Sequence, residues 1–114
     1  MNLSIKHFDE LPSAITICDL EGKFIYMNKK SEQVFEKYGG ITLIGKNIYD
    51  FHNENSKAII QELFKTGGTN SYTISKNGIK KLIHQSPWYE NGIIAGLIEI
   101  SIEIPINLPH FIRE

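Results

Sequence analysis

Ala14–Glu32 reads AITICDLEGKFIYMNKKSE. Two short apolar runs, Ala14–Cys18 and Lys23–Met27, flank Asp19-Leu20-Glu21-Gly22. Asp and Gly at the ends of the corner are turn formers. Both runs are rich in Ile, Thr, Phe and Tyr, so the stretch predicts a β-hairpin. Asn28 follows the second run directly, and its side-chain oxygen can cap the free N–H groups of a helix starting at Lys29. Strand, turn, strand and capped helix thus form one unit on which the later chain must pack.

Working outward, KKSEQVFEKYGG puts Val34, Phe35 and Tyr38 on one helical face and stops at Gly39-Gly40. Asn53 or Asn55 caps a longer helix running to Thr66, with Ile59, Ile60, Leu63 and Phe64 on one face and Gly67-Gly68 as its end. The rest reads as strands. Asn70–Ser75 alternates and leads into Asn77-Gly78, a strong hairpin signal. Ile79–Tyr89 follows, and Pro87 near its end predicts an edge or a bulge. Asn91-Gly92 marks the next corner, and Ile93–Ile104, the most apolar run, is expected to lie centrally.

An apolar strand, Asp19-x-x-Gly22, an apolar-aromatic strand and Asn28, followed by Gly45-Lys46-Asn47-Ile48-Tyr49-Asp50, resemble a PAS domain, a small sensory and interaction module. The resemblance covers roughly Leu11 to Ser101. It implies an α+β fold: a five-stranded antiparallel sheet, order 2-1-5-4-3, with short helices on one face. Residues 1–10 become an N-terminal flanking segment, 11–103 the PAS-like domain and 104–114 a C-terminal tail or linker. Met1–Leu11, with Leu3, Ile5, Phe8 and Leu11, predicts a short amphipathic helix or turn stopped by Pro12, or a frayed end. Pro105 and Pro109 break the tail, whose Leu108, Phe111 and Ile112 suit packing on the sheet or on a partner; the alternative is a domain exit.

Composition narrows the function. The net charge is −1 and Arg113 is the single arginine, which gives no basic face for a phosphate backbone, so no nucleic-acid partner is expected. The lone Cys18 cannot form an internal disulfide and fits a reducing cytoplasm. There is no run of about 18 apolar residues, and Met1–Glu10 is polar and mixed in charge, so neither a membrane span nor a signal peptide is read. A soluble cytoplasmic domain is expected, either a complete protein or a piece of a larger one.

No catalytic set, glycine-rich phosphate loop or zinc pattern is present, so the chain reads as a non-enzyme with no metal site. The resemblance also speaks to cofactors. Haem-binding relatives carry an axial His near the start of the long helix; anchoring on Thr66-Gly67 puts Ser56 there. Adduct-forming flavin relatives carry a Cys where Ile48 stands, and Ile98 occupies a strand that in them carries flavin-reading amides. Both cofactors are therefore disfavoured.

Alternation and the family pattern place Ile17, Phe24, Tyr26, Ile83, Gln85, Ile98 and Ile100 on the inner wall. Phe35, Tyr49, His52, Ile59 and Phe64 come from the helices. The ligand candidates are Tyr26, Phe35, Tyr49, His52, Phe64, Ile83, Gln85 and Ile98, with Gln85, Tyr26 and His52 as polar handles. With so many bulky side chains a filled or very small pocket is expected; otherwise it takes a small apolar or weakly acidic metabolite. Ile25, Met27, Leu82, His84 and Leu97 are expected on the outer face, where a sheet covered on one side needs a partner. Trp88 and Tyr89 read as anchors or as cover for the last strand.

The expected function is a sensory or interaction module of a bacterial signalling protein that dimerises and regulates an effector. The alternatives are a ligand-free adaptor or a small isomerase-like enzyme or carrier. The enzyme needs a buried carboxylate of raised pKa; Asp19, Asp50 and Glu99 read instead as turn, cap and outward-facing residues.

Overall fold

The computed structural model describes residues 4–114. Leu3, which the sequence places in the leading amphipathic turn, lies outside them. Strands β1 (Ala14–Asp19) and β2 (Phe24–Met27) form the first hairpin, and helix α1 (Lys29–Val34) follows. Three 3-10 turns, Glu36–Tyr38, Gly40–Leu43 and Ile48–Phe51, lead into helix α2 (Glu54–Thr66). β3 (Asn70–Lys76), β4 (Ile79–Glu90) and β5 (Ile93–Ile104) complete the chain. The five strands make one antiparallel sheet in the order β2-β1-β5-β4-β3, so β5 is the central strand.

Local chemistry sets the joints. Asp19 Oδ1 accepts from the N–H groups of Glu21 and Lys23 and closes the first corner. Asn28 and Asn53 cap α1 and α2 by accepting from Ser31 N and Ser56 N. Asn77-Gly78 and Asn91-Gly92 each have positive φ at both residues, as a tight type I′ corner requires. α1 is shorter than the sequence suggests. The helix gives way at Phe35, and Tyr38 belongs to a separate 3-10 turn.

The core lies between one sheet face and the helical segments. Cys18, Phe24, Met27, Leu43, Ile48, Ile60, Leu63 and Leu97 form it, with Phe35, Tyr49 and Phe64 packed against them. Met27 and Leu97, expected on the outer face, are core residues. Tyr26 and Ile98, expected inside, face the other way. Two bulges explain both corrections. β1 and β2 pair Cys18 with Phe24 but Ile17 with Tyr26, so Ile25 is an extra residue in β2. That residue puts Phe24 and Met27 on one side and sends Tyr26 to the other. β4 and β5 pair Tyr89 with Ile94 but Trp88 with Gly96, so Ala95 is extra in β5. A regular ladder from the Asn91-Gly92 corner would set Gln85 opposite Ile98. The bulge sets it opposite Glu99 instead.

Beyond the sheet, the 3-10 turn Ile5–Phe8 is stopped before Pro12 and docks beside the start of α1, where Lys29 N donates to Asp9 O. Pro87 lies just past the stretch of β4 that pairs with β3, so its missing N–H costs no bond on that side. Trp88 lies across Gly96 and donates from Nε1 to Cys18 O at 3.0 Å. Tyr89 is exposed. The tail after Ile104 does not pack on the sheet: Ile106, Leu108, Phe111 and Ile112 are all exposed. No helix of the described residues is long and apolar enough to cross a membrane.

Candidate functional site: a cavity with a polar floor

Between the inner sheet face and the helical segments lies a half-open cavity of about 570 Å³. Its size corrects the expectation of a filled or very small pocket. Phe35, His52, Ile83 and Gln85, four of the sequence candidates, line it. Tyr49 and Phe64 pack into the core instead. Tyr26 and Ile98 are on the opposite face for the reason given above.

The strand register arranges the floor as rungs. One is apolar: Phe24, Cys18 and Leu97, neighbours across β2, β1 and β5. The next is polar: Thr16, Glu99, Gln85 and Asn70, neighbours across β1, β5, β4 and β3. The third carries Ala14, Ser101, Ile83 and Tyr72. Glu103, Lys81 and Ile74 form the fourth.

The polar rung is a directed chain. Asn70 Nδ2 donates to Gln85 Oε1 at 3.0 Å, and Gln85 Nε2 donates to Glu99 Oε1 at 2.9 Å. Gln85 is buried and has both ends of its amide engaged, so its orientation is fixed. Glu99 is half-buried and faces the cavity, which corrects the outward reading. At the far end of the rung the hydroxyls of Thr16 and Ser31 are hydrogen-bonded to each other. Burial, and then the Glu99 carboxylate, push the Tyr72 phenol above its ordinary range.

On the helical side, His52 Nδ1 lies 2.6 Å from Ile48 O. A carbonyl can only accept, so Nδ1 carries the proton, and Nε2 of the neutral ring is an acceptor. Phe51 sits among Phe24 and Tyr38 with ring centroids 6.3 Å from each. Lys30 reaches across to Glu103 at 3.6 Å. Among the described residues, no group of three His, Cys, Asp or Glu side chains is placed to hold a metal ion.

Cys18 is the one thiol of the chain and is buried in the apolar rung. Burial pushes it up from 9.0 to about 11, against a smaller lowering by the Leu97 backbone. The fold therefore favours the neutral thiol. That contribution is fully present below pH 9 and is lost as pH rises through about 11, because the unfolded chain ionises first. Thiol reagents at pH 8 are expected to react with the native protein roughly 100-fold more slowly than with the chain in denaturant, from the lower thiolate fraction alone. Equal rates, read by absorbance of the released chromophore, would overturn this.

Ile17 and Ile100, expected on the inner wall, lie with Ile98 on the far face, where they, Leu82 and His84 are half-buried, while Ile25 and Ile102 are exposed. His84 Nδ1 is 2.6 Å from Ser71 Oγ. Tyr26 donates its hydroxyl to Asp9 Oδ1 at 2.7 Å and so ties the N-terminal turn to β2. Burial, and then that carboxylate, push the phenol up to about 12.

A family model described as the PAS fold matches residues 8–66. The PAS domain of a Colwellia psychrerythraea protein is 27% identical, with a TM-score of 0.66, covering 87% of this chain and 92% of that one. A sensory box sensor histidine kinase from Vibrio cholerae is 17% identical, with a TM-score of 0.64 and 89% of each chain covered. VqmA of the same organism, solved in complex with a ligand and DNA, is 18% identical with a TM-score of 0.68. That match covers 90% of this chain and about half, 52%, of VqmA. No curated protein matches the chain.

Proposed function

The chain belongs to the PAS-fold family, and on that premise we propose that it is a sensory module whose signal is a small molecule held in the cavity. The observation that carries this reading is the cavity itself. Its volume of about 570 Å³ falls within the roughly 300–1,000 Å³ of small-molecule sites. Apolar and aromatic walls with a few convergent polar groups are the usual make-up of such a site. The recurrence of the fold in a sensor histidine kinase and in a protein solved with a ligand and DNA supports the reading.

The proposed occupant is a small organic molecule rather than haem or an adduct-forming flavin, since Ser56 and Ile48 stand where the sequence resemblance would need His and Cys. The module acts by binding and not by catalysis, in the cytoplasm, where Cys18 stays reduced. The outer face makes a homodimer: Ile17, Ile98, Ile100 and Leu82 form an apolar stripe across β1, β5 and β4. The dimer passes the bound state to an effector domain or partner protein.

Native mass spectrometry of the protein as purified from cells is the test. The expected spectrum is a dimer carrying an added small mass that is lost on denaturation. A bare monomer that no small molecule stabilises against heat would overturn the proposal.

A further inference from the structure

We infer that the cavity takes an organic cation, an aromatic body bearing a protonated amine, with Glu99 as the residue that receives the charge. This rests on the reading of the cavity as a ligand site and names the chemistry of its occupant.

The donors of the polar rung run one way, from Asn70 through Gln85 to Glu99, and end on Oε1 of the carboxylate. Among the described residues, no donor reaches the other carboxylate oxygen and no lysine or arginine lies within ion-pair distance of Glu99. The other oxygen is not sealed in the protein interior, and Glu99 lines the cavity, so a cation entering the cavity can form a charge-assisted hydrogen bond there. His52 also lines the cavity, and with its Nδ1 proton on Ile48 O its Nε2 accepts whenever the ring is neutral.

The lysines around the cavity do not reverse this polarity. Lys30 is engaged with Glu103, and Lys81 is the cross-strand neighbour of that same carboxylate. Lys76 is exposed at the end of β3. The positive groups thus stand two rungs or more from Glu99, at the rim. The rings of Phe51 and its two aromatic neighbours give a face suited to a flat ligand body and favourable to a nearby ammonium.

A matched pair of probes tests this: tryptamine, a protonated amine, and indole-3-propionate, an anion with the same ring. Titrations of each are followed by amide resonances and by heat. Tryptamine is expected to bind at least tenfold more tightly than indole-3-propionate. Glu99→Gln, nearly isosteric and checked for folding by its melting curve, is expected to weaken tryptamine tenfold or more and to leave the acid unchanged or improved. The wild-type preference needs no variant, so a poorly folded Glu99→Gln still leaves a decisive result.

An acid that binds as tightly as the amine overturns the inference. So does a Glu99→Gln protein that keeps its amine affinity, or the failure of both probes at millimolar concentration. The two readings fail separately. A co-purified anion seen by native mass spectrometry would remove the cation class and leave the sensor standing, whereas no small-molecule binding of any kind removes both.

Discussion

Replacing Asn28 by alanine is expected to cost about 4 kcal/mol, or roughly 15 °C or more in melting temperature, from four hydrogen bonds of about 1 kcal/mol each. Asn28 is buried, and its amide uses all of its capacity. Oδ1 accepts from Ile15 N at 3.0 Å and from Ser31 N at 3.0 Å. Nδ2 donates to Phe8 O at 3.0 Å and to Ser13 O at 2.8 Å. Its own backbone N–H donates to Ile15 O, so main chain and side chain together extend the β1–β2 ladder by one residue. One side chain therefore ties the N-terminal turn, the first strand and the first helix into a single joint. Alanine strands the buried N–H groups of Ile15 and Ser31 and the Ser13 carbonyl, while Phe8 O keeps the Leu11 N–H, so the loss is carried mainly by the two buried N–H groups. Thermal unfolding followed by circular dichroism checks this; a loss below about 1 kcal/mol, the worth of an ordinary helix cap, would overturn it.

Asn28→Asp divides the joint. The carboxylate keeps the acceptor role toward Ile15 N and Ser31 N but turns an oxygen toward two carbonyls that previously received N–H groups. The helix cap should survive while the N-terminal turn loses its anchor and exchanges its amides faster. The buried carboxyl is held above its unfolded value, so its protonated form is the one the fold accepts. The loss of stability should shrink on going from pH 7 to pH 5, as the carboxyl protonates and can donate again.

The parts of this structure that local chemistry sets were legible in the chain. Asp19, Asn53, the two Asn-Gly corners and Asn28 as the cap of α1 act within a few residues of themselves, and each stands where its side chain or φ requires; the bonds of Asn28 to Phe8, Ser13 and Ile15 reach 13 to 20 residues back and were not legible. The sheet order followed from the family resemblance. The two faces were not legible, because each depends on one extra residue in a strand. Nothing in Lys23–Met27 marks Ile25 as that residue, yet it decides whether Tyr26 or Met27 joins the core. β5 offers two alternating sets, Leu97, Glu99, Ser101 and Glu103 against Ile98, Ile100, Ile102 and Ile104. Hydropathy selects the isoleucines as interior, and an unbulged hairpin from Asn91-Gly92 agrees with it. The bulge at Ala95 inverts that choice and puts a carboxylate on the cavity floor. Gln85 was visible as a polar handle. Glu99 was hidden, because its role depends on a register set by a residue four positions earlier. The one available signal was Gly96, a residue with no side chain in the middle of the most apolar strand, where a glycine suggests a bulge or a close approach.

Gly96→Ala is expected to be the most damaging single-methyl change in the protein. A Cβ there would run into the carbonyl oxygen of Cys18 and the Nε1 of Trp88, and would stand 3.0 Å from Asp19 Cα. The indole could swing aside, but the Cys18 carbonyl belongs to the β1 backbone, paired with β5 on one side and β2 on the other. Relief must come from separating β1 and β5, the contact at the centre of the sheet. Overpacking alone costs about 1–3 kcal/mol, and the loss of the Trp88–Cys18 bond adds about 1 kcal/mol. The total, roughly 2–4 kcal/mol, is a large share of the 5–15 kcal/mol that holds a domain of this kind together. A double-mutant cycle separates the two collisions. Trp88→Phe, which deletes the N–H and keeps most of the ring, should cost about 1 kcal/mol in the wild-type background. If the backbone carbonyl is the immovable partner, Trp88→Ala will not restore Gly96→Ala, and the two losses will stand side by side. Recovery of most of the stability in the double variant would mean that the indole, not the strand, sets the demand for glycine. A Gly96→Ala protein melting within a few degrees of wild type would show that β1 and β5 do not approach each other as described.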